Sequence, residues 1–146
     1  MKIMAEIAAV CISTMKGVPK KAVDEIELRP EHGIVGDAHA GDWHRQVSLL
    51  ANESVEKMRS KLPDLKPGAF AENILTKGIT LYELPIGAKL KVGPALLQVT
   101  QIGKECHNSC AIKKVTGDCV MPREGIFAVV LEGGTVKVGD SVEVAD

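Results

Sequence analysis

Ile126-Phe127-Ala128-Val129-Val130-Leu131-Glu132-Gly133-Gly134-Thr135-Val136-Lys137-Val138-Gly139-Asp140-Ser141-Val142-Glu143-Val144 sets three short runs rich in valine between two glycine turns. β-branched side chains lose rotamer freedom in a helix and pack well on a pleated surface, so each run favours a strand. The spacing predicts a hairpin in which residues 126–131 turn through Gly133-Gly134 into residues 135–138. Gly139-Asp140 then turns the chain into a further strand over 141–144. The same reading extends backwards. Residues 88–92 and 95–101 flank Gly93-Pro94 as a hairpin-like pair. Residues 3–12 form a nearly continuous apolar strand, residues 22–28 a partly alternating one, residues 46–50 a short one, and residues 70–75 a further candidate.

One segment reads as a helix. Asn52 is placed to cap it, Val55, Met58 and Leu62 recur on one face, and Pro63 and Pro67 end it. Residues 29–45 are polar, contain Gly33, Gly36 and Gly41, and read as a long loop, a length that tends to be functional. Strands dominate and turn signals recur at short intervals, which favours a barrel or sandwich over alternating βαβ units. Closure also removes exposed edges from such apolar strands. The expected fold is mainly β: a compact closed β-barrel with a few short helices, formed by residues 1–146 as a single domain.

The chain has 146 residues, 45% hydrophobic and 25% charged, the balance of an ordinary globular protein. Aromatics are scarce at 3%, so aliphatic side chains must build the core. The net charge of -1 argues against a nucleic-acid footprint, which needs a basic face. Glu6 interrupts the first apolar run and no small-residue cleavage site follows a basic start, so the N-terminus reads as a strand and not a signal peptide. No apolar run approaches bilayer length. No membrane association is expected, and the expected compartment is cytoplasmic. Clustered cysteines there are more often ligands or reactive thiols than disulfides.

Three of the four cysteines fall within one window: Cys106 and Cys110, with Cys119 shortly after. Lys104 precedes Cys106 by two residues and His107 follows it directly. In an extended segment residues i and i+2 share a side, and a nearby cation raises a thiol's thiolate fraction. The residues alone leave three readings open: a reactive or soft-metal-ligating thiol at Cys106, a zinc site, or a Cys106–Cys110 redox pair. Zinc is disfavoured because adjacent Cys106 and His107 diverge. Cys11, inside the first strand, reads as core.

Asp37 and His39 stand two apart on a glycine-flanked loop, a combination suited to a polar ligand or a metal, or simply to a surface turn. Alternation through 70–74 buries Glu72, and a buried carboxylate needs a partner, a backbone amide or Arg45. Arg45 and Arg123 are the best anion anchors, because a guanidinium grips phosphate with two parallel donors. The chain has neither a Gly-x-x-x-x-Gly-Lys loop nor a Gly-x-Gly-x-x-Gly turn, and no Ser-His-Asp arrangement can be assigned.

An ordered set of segments covers nearly the whole chain. It runs from Gly33-Ile34-Val35-Gly36-Asp37-Ala38-His39-Ala40-Gly41 and Arg45-Gln46-Val47-Ser48-Leu49-Leu50, through Phe70-Ala71-Glu72-Asn73-Ile74 and Leu84-Pro85-Ile86-Gly87. It continues with Thr100-Gln101-Ile102-Gly103-Lys104-Glu105-Cys106-His107, Pro122-Arg123-Glu124-Gly125-Ile126-Phe127 and Val138-Gly139-Asp140. The set resembles the MOSC domain, the module found at the C-terminus of molybdenum-cofactor sulfurases, in its small stand-alone bacterial form. The resemblance implies a β-barrel with a pocket for the molybdenum cofactor, a molybdopterin. It places the family's characteristic cysteine at Cys106, as a molybdenum ligand or as a persulfide-forming sulfur carrier.

Lys104 and His107 would then tune Cys106, Arg45 and Arg123 would hold the cofactor's phosphate, and Asp37, His39 and Asn73 would shape the pocket. The implied partners are a pterin-type cofactor and a cysteine desulfurase or cofactor-biosynthesis enzyme. Two other functions stay open: a molybdenum-dependent reductase of N-hydroxylated compounds using an external electron donor, and a zinc-stabilised structural or interaction domain. The chain shows neither the added segments of the MOSC reductases nor the pyridoxal-phosphate desulfurase domain of the sulfurases.

Overall fold

Valine- and isoleucine-rich runs form most of the secondary structure in the computed structural model, which describes residues 5–15, 20–59, 63–103 and 124–145. The strands are β1 (Ala5–Ile12), β2 (Lys21–Val23), β3 (Glu25–Arg29), β4 (Gly33–Ile34), β5 (Val47–Ala51), β6 (Ile74–Lys77), β7 (Lys89–Val92), β8 (Ala95–Ile102), β9 (Ile126–Glu132), β10 (Gly134–Lys137) and β11 (Ser141–Ala145). Helix α1 (Asn52–Arg59) follows β5 directly.

Seven strands close into a barrel in the order β11-β7-β8-β9-β5-β6-β1. Closure comes from β1 pairing back on β11, with Ala5 opposite Val142 and Glu6 opposite Ser141. The ring is antiparallel except at β5–β6, a parallel pair connected through α1. A parallel neighbour cannot be reached by a hairpin, so the helix is the crossover that topology requires. β2 adds to β1 beside the ring, and β10-β3-β4 form a small second sheet.

Ile7, Leu49, Ile74, Leu90, Leu97 and Ile126 belong to the main core and are almost wholly buried. A second cluster gathers Val55 and Met58 of α1 with Cys11, Leu50, Phe70, Leu75 and Phe127. β1 serves both clusters. Ala5, Ile7 and Val10 pack in the first, Ala9 and Cys11 in the second. The register with β6 shifts between Ile7 and Ala9, and this bulge moves the inward-facing parity by one residue. That switch explains why the first run is apolar almost throughout.

The structure departs from the sequence expectations in four places. Residues 126–131 and 135–138 do not form a hairpin: β9 pairs with β5 and β8, while β10 pairs with β3. A Cβ on Gly133 would lie 2.4 Å from the Leu28 carbonyl oxygen, so the glycine lets the chain cross against β3 and not double back. Residues 22–28 divide at Asp24 into β2 and β3, which join different sheets. Residues 70–73 are not strand: a turn over 67–70 leads into an irregular stretch with Ala71 at φ 62°, and β6 starts at Ile74. The long polar loop contains the two-residue strand β4. The hairpin of β7 and β8, the helix at Asn52, and the closed barrel stand as expected. Residues 60–62, where the helix was expected to end, lie outside the described residues.

Candidate functional site

Loop 35–46 reaches the barrel rim just before β5. It is pinned at its end by Gln46, whose Oε1 accepts the Val130 amide at 3.0 Å, and whose carbonyl leaves no room for a Cβ on Gly33. Gln46 is buried, so Arg45 is delivered to a fixed place. The Arg45 guanidinium carbon lies 5.4 Å from the ring centroids of both Trp43 and Phe127, within cation–π range. Its Nε is buried and has no hydrogen-bond partner among the described residues. A buried guanidinium donor left unmatched is costly unless a ligand or another group completes it.

The neighbouring loop residues dock on β8. The Thr100 hydroxyl donates to the His44 carbonyl, and His44 Nε2 lies 3.1 Å from Gln101 Oε1. Gln101 Nε2 donates to the Gly103 carbonyl at 2.8 Å. The Gly103 amide in turn donates to the Gly125 carbonyl at 2.6 Å, so the end of β8 and the approach to β9 are tied together. Glu124 is buried and accepts from Ser54 Oγ at 2.7 Å and from Lys57 Nζ at 2.8 Å, both on α1. The two described residues that flank 104–123 are thus anchored, Gly103 to Gly125 and Glu124 to α1. Cys106, Lys104, His107, Arg123, Cys110 and Cys119 all lie outside the described residues.

Asp37 and His39 come together with a residue that sequence reasoning missed. Lys20 and Asp37 form an ion pair at 2.7 Å in which neither side chain is exposed to water. Asp37 also accepts the Ser13 amide at 3.1 Å and the His39 amide at 3.2 Å. Lys20 Nζ lies 3.0 Å from His39 Nδ1. The His39 carbonyl accepts the Trp43 indole N–H at 2.8 Å, which links this cluster to the wall holding Arg45. No pattern around Lys20 in the sequence marks it, because its partners are distant in sequence. With the Asp37 carboxylate occupied by Lys20, the pair Asp37 and His39 does not present a metal site. Among the described residues no three His, Cys, Asp or Glu side chains gather where they could hold a metal ion.

Asn73 lies behind the rim and is fully buried. Its Oδ1 accepts the Ser48 amide at 3.0 Å and its Nδ2 donates to the Cys11 carbonyl at 3.1 Å, joining β1 to β5. Glu72 finds backbone amides and not Arg45: Gly68 at 2.8 Å and Phe70 at 3.0 Å. Burial pushes the Glu72 carboxyl up despite those amides and nearby Lys20. Burial, with Glu72 adding to it, also pushes the Cys11 thiol up to about 12, so Cys11 is a core thiol, as its sequence context suggests. A shallow depression of about 490 Å³ beside Glu6, Lys77 and Ser141 sits at the other ends of β1 and β6 from Cys11 and Asn73.

A family model described as MOSC domain matches residues 36–143. No curated protein matches the chain. Solved structures do. The YUAD protein from Bacillus subtilis superposes with a TM-score of 0.81 at 20% identity, over 99% of this chain and 97% of that one. YiiM from Geobacillus stearothermophilus gives 0.70 at 16% identity, over 97% and 75%. YiiM from Escherichia coli gives 0.66 at 21% identity, over 100% and 70%. These likenesses establish a shared fold.

Proposed function

The chain belongs to the MOSC domain family, a family associated with the molybdenum cofactor, and from that membership we propose that it binds a pterin-based molybdenum cofactor, or carries sulfur for it, at the rim where β8 ends. The observation that supports this most directly is Arg45. It is a cation held between two rings with a buried donor that nothing among the described residues satisfies. An anionic phosphate is the natural complement to such a donor. Arg123 would supply a second guanidinium. Asp37 would act through His39, and Asn73 from behind the wall.

Cys106, three residues beyond Gly103, is the group proposed to meet molybdenum or to carry sulfur. As a carrier, its thiolate attacks the terminal sulfur of a donor persulfide and the donor's thiolate leaves, so no net oxidation occurs. A cysteine desulfurase is the partner of the right chemistry. When bound, the cofactor supplies a molybdenum centre that accepts a thiolate or a terminal sulfur ligand.

Protein purified without reductant, taken through intact mass and metal analysis, tests the proposal. Molybdenum with molybdopterin, or one added sulfur on Cys106, is the expected result. Arg45→Ala should lower molybdopterin affinity by about tenfold or more, the worth of one or two hydrogen bonds to a charged group. Wild-type retention of molybdopterin and sulfur by both Cys106→Ser and Arg45→Ala overturns it. Stoichiometric zinc lost in Cys110→Ser/Cys119→Ser overturns it in favour of a zinc-stabilised domain.

A further inference from the structure

Lys20 meets Asp37 Oδ1 at 2.7 Å, His39 Nδ1 at 3.0 Å and Ser13 Oγ at 3.4 Å. An ammonium group has three donors and no acceptor, and these three neighbours account for all of them. Contact with His39 is chemically sound only if Nδ1 carries a lone pair. We propose that Lys20 is a positioning residue that fixes His39 as the neutral tautomer with its proton on Nε2. The inference rests on the reading of this rim as a ligand site, and it assigns His39 a definite state there: an uncharged ring with Nδ1 engaged by Lys20, and so not a metal ligand through Nδ1.

Asp37 would place the proton on Nδ1. Its Oδ2 is 4.0 Å from Nδ1, beyond hydrogen-bond reach, and already accepts the backbone amide of His39. Oδ1 is taken by Lys20 and the Ser13 amide. Lys20, at 3.0 Å from Nδ1, requires a lone pair on that nitrogen. The His39 ring is about a third exposed while Lys20 and Asp37 have no exposure, so the buried pair acts on a ring that reaches the surface. Lys20 is itself held by its backbone: its amide donates to the Gly68 carbonyl at 2.8 Å, and a Cβ on Gly68 would lie 2.1 Å from the Lys20 carbonyl oxygen.

The test is long-range ¹H–¹⁵N correlation of the histidine rings in the full-length, ligand-free protein at neutral pH, with His39 assigned from a His39→Gln variant. The expected spectrum shows His39 with a protonated Nε2 and an unprotonated Nδ1. A His39 ring protonated at Nδ1, or at both nitrogens, overturns the proposal without any variant of Lys20. Lys20→Met/Asp37→Asn removes both buried charges together, and the His39 shifts should then move away from the wild-type tautomer pattern. An unchanged wild-type pattern in that variant overturns Lys20 as the cause. No cofactor is needed for these readings. Failure here leaves the cofactor reading standing, and failure of Cys106→Ser and Arg45→Ala to alter loading sinks that reading while the tautomer is unaffected.

Discussion

Glu72 shows how a single residue can be legible in sequence and still change meaning in the structure. Alternation predicts its burial, and burial is found, but its partners are the Gly68 and Phe70 amides of its own turn. Because burial raises its pKa, the folded protein holds this proton to higher pH than the unfolded chain, whose glutamates titrate near about 4.3. The stability Glu72 contributes is therefore present below that value and lost as pH rises through the raised one. The amide introduced by Glu72→Gln mimics the protonated acid and has no such dependence. The stability of wild type relative to that variant should fall in urea melts as pH rises above the ordinary glutamate value, and a rise would contradict the assignment. Cys11 follows the same physics. With its thiol pushed up to about 12, it should resist iodoacetamide in native protein at neutral pH and react in urea, as read by peptide mass mapping.

Elements are where short-range patterns and tertiary contacts compete. The Gly133-Gly134 pair looks like a hairpin turn, yet the chain continues into a second sheet because β3 offers the pairing partner. Strand pairing is settled by which edge is free, and local turn propensity does not encode that. The bulge in β1 is similar: only β6, by its register, reveals that Val10 and Ala9 serve different cores. The turn over 67–70 depends on one glycine. Gly68 has φ +88°, and its Cα faces the Lys20 carbonyl so closely that a methyl group would overlap it. Gly68→Ala should cost about 1–3 kcal/mol from the backbone conformation alone, with the overlap adding to it. Chemical denaturation measures this, and a loss below 0.5 kcal/mol (roughly the scatter of a neutral surface change) would contradict the close approach.

At the scale of the whole molecule, closure joins the two ends of the described chain. β11 lies between β7 and β1, so the barrel is not complete until the last strand is in place. Val142, fully buried and paired with both Ala5 and Val92, sits at that seam. Val142→Ala should lower stability by about 2–3 kcal/mol, the loss of two buried methyl groups plus a cavity. Deleting residues 141–145 should abolish the single cooperative transition, because both neighbouring strands lose their ladder. Retention of a sharp thermal transition by the deletion would show that the ring does not depend on this seam. No helix among the described residues is long and apolar enough to cross a membrane.

Strand content, the helix at Asn52, and the identity of Arg45, Asp37 and His39 as polar groups on a glycine-rich loop were legible because each depends on residues near one another in sequence. Periodicity, turn residues and caps act over a few positions, and they survive in the folded chain wherever packing agrees with them. The pairing of β10 with β3, the bulge that divides β1, and the buried company of Lys20, Asp37 and His39 belong to the closed barrel. Lys20 and Asp37 are 17 residues apart, and nothing local draws an ammonium group and a carboxylate out of water together. Their desolvation is tolerated only because the loops around β1, β2 and β4 bring Ser13, Lys20, Asp37 and His39 together at once, a condition that exists in the folded chain and not before.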